Sequence, residues 1–194
     1  MSSSEPPSLA RGCVSLPASP FVPTEPLIAM PPSTAASFWK HFKPKSCSTS
    51  LKAQSKEEAL EEIVSNLVAA DSLDKSLGES ALKALVERER LGSTGVGMNV
   101  AIPHVKLPGI DTVACSLSVH AEGLEWAAVD GERVNLVFTV LRPDKASETH
   151  DPQRHLDMMH WISRLSRDAD FRSFAQRVSK KSELIDLLKE MSGL

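Results

Sequence analysis

Arg88-Glu89-Arg90-Leu91-Gly92-Ser93-Thr94-Gly95-Val96-Gly97-Met98-Asn99-Val100-Ala101-Ile102-Pro103-His104-Val105-Lys106 brings glycines, hydroxyls, a charged pair and a histidine closer together than any other part of the 194-residue chain. Gly92, Gly95 and Gly97 let the backbone adopt positive φ and turn its N–H groups toward one point, which suits an anion. Ser93 and Thr94 add hydroxyl donors, so the loop can hold a phosphoryl group. Val100, Ala101 and Ile102 read as a short extended segment. Pro103 favours an extended Ile102 and fixes its own φ, which presents His104 from stiff backbone. Near neutral pH an imidazole keeps one ring nitrogen unprotonated, and a positioned one is a nucleophile.

Upstream of the loop, Ser55 followed by Glu58 forms a capping box, and Ala59, Leu60, Ile63, Val64, Leu67 and Val68 recur at helical spacing, which predicts a helix over about 56–70. A second helix is predicted over about 78–91, with Leu82, Leu85 and Val86 inward and Gly92 as its stop. Arg88 and Glu89 fall in its last turn. A cation there complements the helix dipole by about 0.3–1 kcal/mol, but a carboxylate opposes it, so Glu89 is expected to hold Arg88 or a loop amide.

Downstream, Val113, Cys115, Leu117 and Val119 alternate with Ala114, Ser116 and Ser118, the period of a strand with one wetter face. His120 at its end reads as a rim residue. Trp126, Ala127 and Ala128 are expected to cover the sheet before a turn at Asp130-Gly131. Val134 to Leu141 is apolar and β-branched enough for a central strand buried on both faces. After a polar loop over 142–152 comes a helix with Leu156, Met159, Ile162 and Leu165 inward, and then a helical segment with Phe171, Phe174 and Val178. The last helix, capped by Ser182, carries Leu184, Ile185, Leu187 and Leu188. Two helices, several strands and further helices predict a three-layer α/β/α sandwich with a mixed sheet.

Residues 1–37 hold eight of the thirteen prolines, with many serines and alanines and no sustained hydrophobic period. They read as a disordered tail, so the chain divides into a Pro/Ser-rich tail over 1–44 and a domain over 45–194. Phe38, Trp39 and Phe42 are expected to dock the end of the tail, and Cys47 to Ala53 to form a short strand. The formal charge is −3, of which the first 44 residues contribute +1 (Arg11, Lys40 and Lys43 against Glu5 and Glu25), leaving an acidic body without a basic stripe. That argues against nucleic acid. Cys13, Cys47 and Cys115 have neither disulfide-framework nor zinc spacing, which fits a reducing, cytoplasmic compartment, and no apolar stretch approaches the ~18 residues of a membrane span.

The run Glu89, Val96-Gly97 and Val100-Ala101-Ile102-Pro103-His104 resembles the phosphorylation-site signature of the enzyme IIA domain of the bacterial phosphoenolpyruvate-dependent phosphotransferase system. The matching branch is the fructose/mannitol class, which includes nitrogen-related regulatory IIA proteins. The resemblance covers roughly residue 45 onward and implies the same layered fold. It makes His104 the residue that accepts a phosphoryl group from a histidine phosphocarrier protein and gives it to a IIB component for sugar uptake, or that signals to a regulatory target. It gives Arg88, sixteen residues before His104, and His155, at the start of a later helix, places in the active site. Ser93, Thr94, Gly95 and Glu89 are the expected phosphate-binding group. No cofactor or metal is implied, since donor and acceptor are both protein side chains. Two positions depart from the pattern: Val105 replaces the usual glycine, alanine or cysteine after the histidine, and Asn99 stands where a smaller residue is frequent.

Two competing readings are weaker. His150, His155 and His160 are equally spaced, but five residues turn a helix by about 140° beyond a full circle, so neighbours in this series face different ways and do not make a metal site. The glycine-rich loop lacks the Gly-Lys-Ser/Thr of a P-loop, and it follows a helix and opens a strand, the reverse of a dinucleotide-binding loop.

Overall fold

The Ser55 side chain accepts a hydrogen bond from the Glu58 amide at 3.2 Å and starts the first helix of the computed structural model, which describes residues 37–145 and 152–193. In order, the elements are α1 (Lys56–Ala69), α2 (Gly78–Leu91), β1 (Gly95–Gly97), β2 (Val100–Ala101), β3 (His104–Leu107), β4 (Ala114–Leu124), β5 (Val134–Pro143), α3 (Pro152–Arg167), α4 (Ala169–Ala175) and α5 (Lys181–Glu190). The tail expected over 1–44 falls, for residues 1–36, outside the described residues, as does His150.

β5 is the centre of the sheet. β4 pairs with it antiparallel along one edge, β2 and β3 pair with it parallel along the other, and β1 lies antiparallel outside β2. β2 and β3 are two pieces of one strand: Val100 pairs with Leu136 and His104 with Val140, so the register does not change across Ile102-Pro103. Pro103 has no N–H to give the ladder, but its carbonyl accepts from the Val140 amide at 2.9 Å and carries the pairing through. His104 thus opens a strand rather than merely following one.

Helices cover both faces. α1, α2 and Trp126 pack on one through Leu60, Ile63, Leu67 and Leu85, together with Val137 and Leu141 of β5. The other carries Met158, Trp161, Ile162 and Leu165 of α3 with Phe171, Leu184 and Leu188, against Leu136, Phe138 and Val140. The alternation along β5 is the two-residue period of a strand buried on both sides, each large side chain contributing about 1.5–3 kcal/mol. The three-layer sandwich is as the order of elements predicts. Phe38 and Phe42 are buried on the α3 face, with ring centroids 5.9 and 6.1 Å from that of Trp161.

Several local expectations are corrected. β4 extends to Leu124, and its Ser116 and Ser118 are fully buried rather than wet. Their hydroxyls are satisfied within the fold: Ser116 donates to the Ser46 carbonyl at 2.7 Å and lies 3.1 Å from Ser118 Oγ. The segment around Ser48 runs beside β4, with the Ser48 and Leu51 amides donating to Leu117 and Val119 carbonyls and the Val119 amide to Ser48, though only a single bridge forms instead of a strand. On α3, Met158 and Trp161 face the core while Leu156 is exposed; on α4, Phe171 and Ala175 are buried while Phe174 is exposed. Ile162, Leu165 and Phe171 face the core as their spacing predicts, and only Leu156 and Phe174 turn out, because these helices offer several apolar residues per turn. The last helix starts at Lys181, not after Ser182, with Glu183 accepting from the Ser179 and Lys180 amides.

Candidate active site

Gly97 and Val100 pair across a two-residue turn in which Met98 (φ 55°) and Asn99 (φ 64°) both adopt left-handed backbone, the geometry that matches strand twist in a hairpin. Asn99 tolerates this conformation, and its Nδ2 donates to the Arg133 carbonyl at 2.8 Å. Met98 is held there by Asp130, whose Oδ2 accepts the Met98 amide at 2.7 Å and whose Oδ1 accepts that of Glu132 at 3.1 Å. Those two amides hold the Asp130 carboxyl below the usual carboxylate range.

The loop read as an anion cradle is built differently. Of its three glycines only Gly97 has positive φ (87°), whereas Gly92 is extended at φ 163°. Gly95 is required by crowding: a Cβ there would lie 2.8 Å from the Ala128 Cα. The Thr94 amide donates to both oxygens of Glu89 at 3.1 Å, and the Thr94 hydroxyl donates to Glu89 Oε2. Trp126 Nε1–H donates to the same hydroxyl at 3.2 Å. Ser93 Oγ accepts the Gly95 amide at 3.1 Å and donates to the Trp126 carbonyl at 2.9 Å. The Gly95 amide and the Ser93 and Thr94 hydroxyls, expected to face an anion, are therefore used within the loop.

Glu89 is buried and takes the loop amide rather than Arg88. Lys56 Nζ stands 3.8 Å from its Oε1 and offsets the buried charge. Arg88 Nη1 donates to the Gly92 carbonyl at 2.8 Å, across the end of α2. Sequence reasoning missed Lys56 and Trp126 as members of this group. Nothing in spacing could link Trp126 to Thr94, thirty-two residues earlier, since the contact depends on the chain's return across the sheet.

His104 is half-buried at the start of β3, and its Nδ1 lies 2.8 Å from the Ile102 carbonyl. A carbonyl only accepts, so Nδ1 carries the proton and Nε2 is the ring nitrogen with the free lone pair. The parity of the strand places His104 with Val100 and Ile102, which belong to the core on the α3 face, whereas Val105 packs with the opposite cluster. His155 is buried in the first turn of α3, one turn before Met158 in the same layer. His120 is separate: its Nε2 donates to the Ala53 carbonyl at 3.1 Å at the far end of β4.

The sheet is mixed and lies between two helical layers, with His104 at the break in the strand beside the central one. Residues 40–191 match the family described as phosphoenolpyruvate-dependent sugar phosphotransferase system, EIIA 2, and the chain belongs to that family. Relatives include a nitrogen regulatory protein of Bradyrhizobium diazoefficiens, 34% identical over 127 residues that cover 66% of this chain and 78% of the relative. A fructose-specific EIIA component of Haloferax volcanii is 31% identical over 136 residues, covering 70% of this chain and 84% of its own. Among solved structures, nitrogen regulatory protein IIA-Ntr from Neisseria meningitidis superposes with a TM-score of 0.64 at 25% identity, over 77% of this chain and 97% of that one. The mannitol IIA of Escherichia coli in complex with phosphorylated IIB shares the fold, with a TM-score of 0.59 at 18% identity over 77% of this chain and 99% of that one. Among the described residues no helix is long and apolar enough to cross a membrane.

Proposed function

We propose that this protein is a phosphoryl carrier whose acceptor atom is His104 Nε2. The observation that carries the reading is the 2.8 Å contact between Nδ1 and the Ile102 carbonyl, which fixes one tautomer and leaves Nε2 as the nucleophile. The Nε2 lone pair attacks the phosphorus of a phosphohistidine on a small carrier protein in line. A new N–P bond forms, the donor's N–P bond breaks, and its electron pair returns to the donor ring. Positive charge that develops on the His104 ring stays next to the Ile102 carbonyl through the Nδ1 proton. Arg88 and His155 neutralise the transferring oxygens, and Ser93, Thr94, Gly95 and Glu89 shape the loop beside them.

The recipient is a IIB component serving sugar uptake, a reading supported by the fructose-specific EIIA relative. The nitrogen regulatory relatives favour a second reading, in which phosphorylation alters affinity for a regulatory target protein. Both use the same first step. Incubating the full chain with phosphoenolpyruvate, enzyme I and the histidine phosphocarrier protein, then mapping the label, tests that step. Acid-labile label on His104, abolished in a folded His104→Ala variant, is the expected result, and label retained at another residue overturns the assignment. Transfer from the labelled chain to a purified IIB then separates the two readings.

A further inference from the structure

The buried acid beneath the loop joins His104 by an unbroken series of contacts. Glu89 accepts the amide and hydroxyl of Thr94; the Thr94 carbonyl accepts the Ile102 amide at 2.9 Å; the Ile102 carbonyl accepts His104 Nδ1–H at 2.8 Å. Trp126 fastens the Thr94 hydroxyl from the other side. Ile102 sits in the break between β2 and β3, where Pro103 supplies no amide to the ladder, so Thr94 is what holds its N–H.

From this series we infer that Glu89 and Thr94 are positioning residues for His104: they fix the Ile102 peptide and through it select the ring tautomer with Nε2 free. This rests on His104 being the phosphoryl acceptor. The connection is mechanical and not a proton wire, because the N–H and C=O of Thr94 belong to different peptide groups, and so do those of Ile102. A buried carboxylate is costly to keep, and here both of its oxygens hold one threonine, with Lys56 beside the carboxylate and the rigid indole on the threonine hydroxyl. Such an arrangement is stiffer than a solvated loop, and stiffness is what a nucleophile needs if its lone pair is to meet phosphorus in line.

The test uses the full chain labelled with ¹⁵N, reading the two imidazole nitrogens of His104 by long-range proton–nitrogen correlation, alongside the rate of label uptake from the phosphocarrier protein. The wild type is expected to hold its ring proton on Nδ1. Glu89→Gln and the isosteric Thr94→Val should each give a mixture of tautomers and slow uptake on the order of 10- to 100-fold, while Thr94→Ser, which keeps the hydroxyl, should restore both. Folded Glu89→Gln and Thr94→Val proteins with wild-type tautomer and rate would overturn the inference. Should Glu89→Gln not fold, Thr94→Val decides alone. If the wild type takes no label, the phosphoryl-carrier reading fails, yet the tautomer measurement still tests whether Glu89 and Thr94 position the ring.

Discussion

Val105 is larger than the small residue expected after His104, and its placement explains how that is tolerated. Neighbours on β3 point to opposite faces, so Val105 packs against the cluster that includes Leu85, Leu107 and Leu141, away from the face of Ile102. The extra bulk is spent on the contact between β3 and α2. Val105→Ala should therefore cost about 1 kcal/mol of stability, measured by urea unfolding, while the rate of label uptake at His104 stays at the wild-type value. A large drop in rate with stability unchanged would mean that the side chain reaches the reacting face after all.

At the scale of elements, the β1–β2 hairpin is pinned against the connection between β4 and β5. The Val129 amide donates to the Gly95 carbonyl at 3.2 Å, and the place a Gly95 side chain would occupy is taken by Ala128 backbone. Gly95→Ala should thus destabilise by about 1–3 kcal/mol and lower label uptake, because the displaced strand is joined directly to Thr94; a variant as stable as wild type would contradict the contact. Much of this architecture was legible in the sequence. The capping box at Ser55, the alternation after Val113 and the apolar run to Leu141 gave α1, β4 and β5 their places, and Pro103 marked the stiff approach to His104. What was not legible depends on tertiary neighbours. Ser116 and Ser118 looked wet because hydroxyls usually are, and only the passage of Ser46 beside them makes a dry face acceptable. Gly95 looked like a residue chosen for its φ and is one chosen for its lack of a side chain. Thr94 looked like a donor to a ligand, and its donors are already engaged by Glu89.

Over the whole molecule, the residues before α1 bind two layers together, and one of them makes stability depend on pH. Burial and the charge of Arg154 on α3 hold His41 below its ordinary value, against a hydrogen bond with the Val113 backbone that acts the other way. The folded chain takes up this proton less readily than the unfolded one. Its contribution is complete above the unfolded value of 6.5 and is lost as pH falls from there toward the folded value. Urea midpoints should fall between about pH 7.5 and about pH 5.5, and a His41→Gln variant should flatten that slope; an unchanged slope would assign it to other groups.

The same stretch has a second consequence, for solubility. β4 is the longest strand, eleven residues, and its outer edge would be a row of unpaired amides and carbonyls but for the backbone around Ser48 and Leu51 that runs along it. At the opposite side of the sheet β1 is only three residues long, too short to template another chain. The protection against edge-to-edge aggregation is therefore lopsided. One border is safe by brevity, and the other is safe only while residues 42–51 stay in place, so a chain shortened past that point would retain His104 and lose its resistance to sticking to copies of itself.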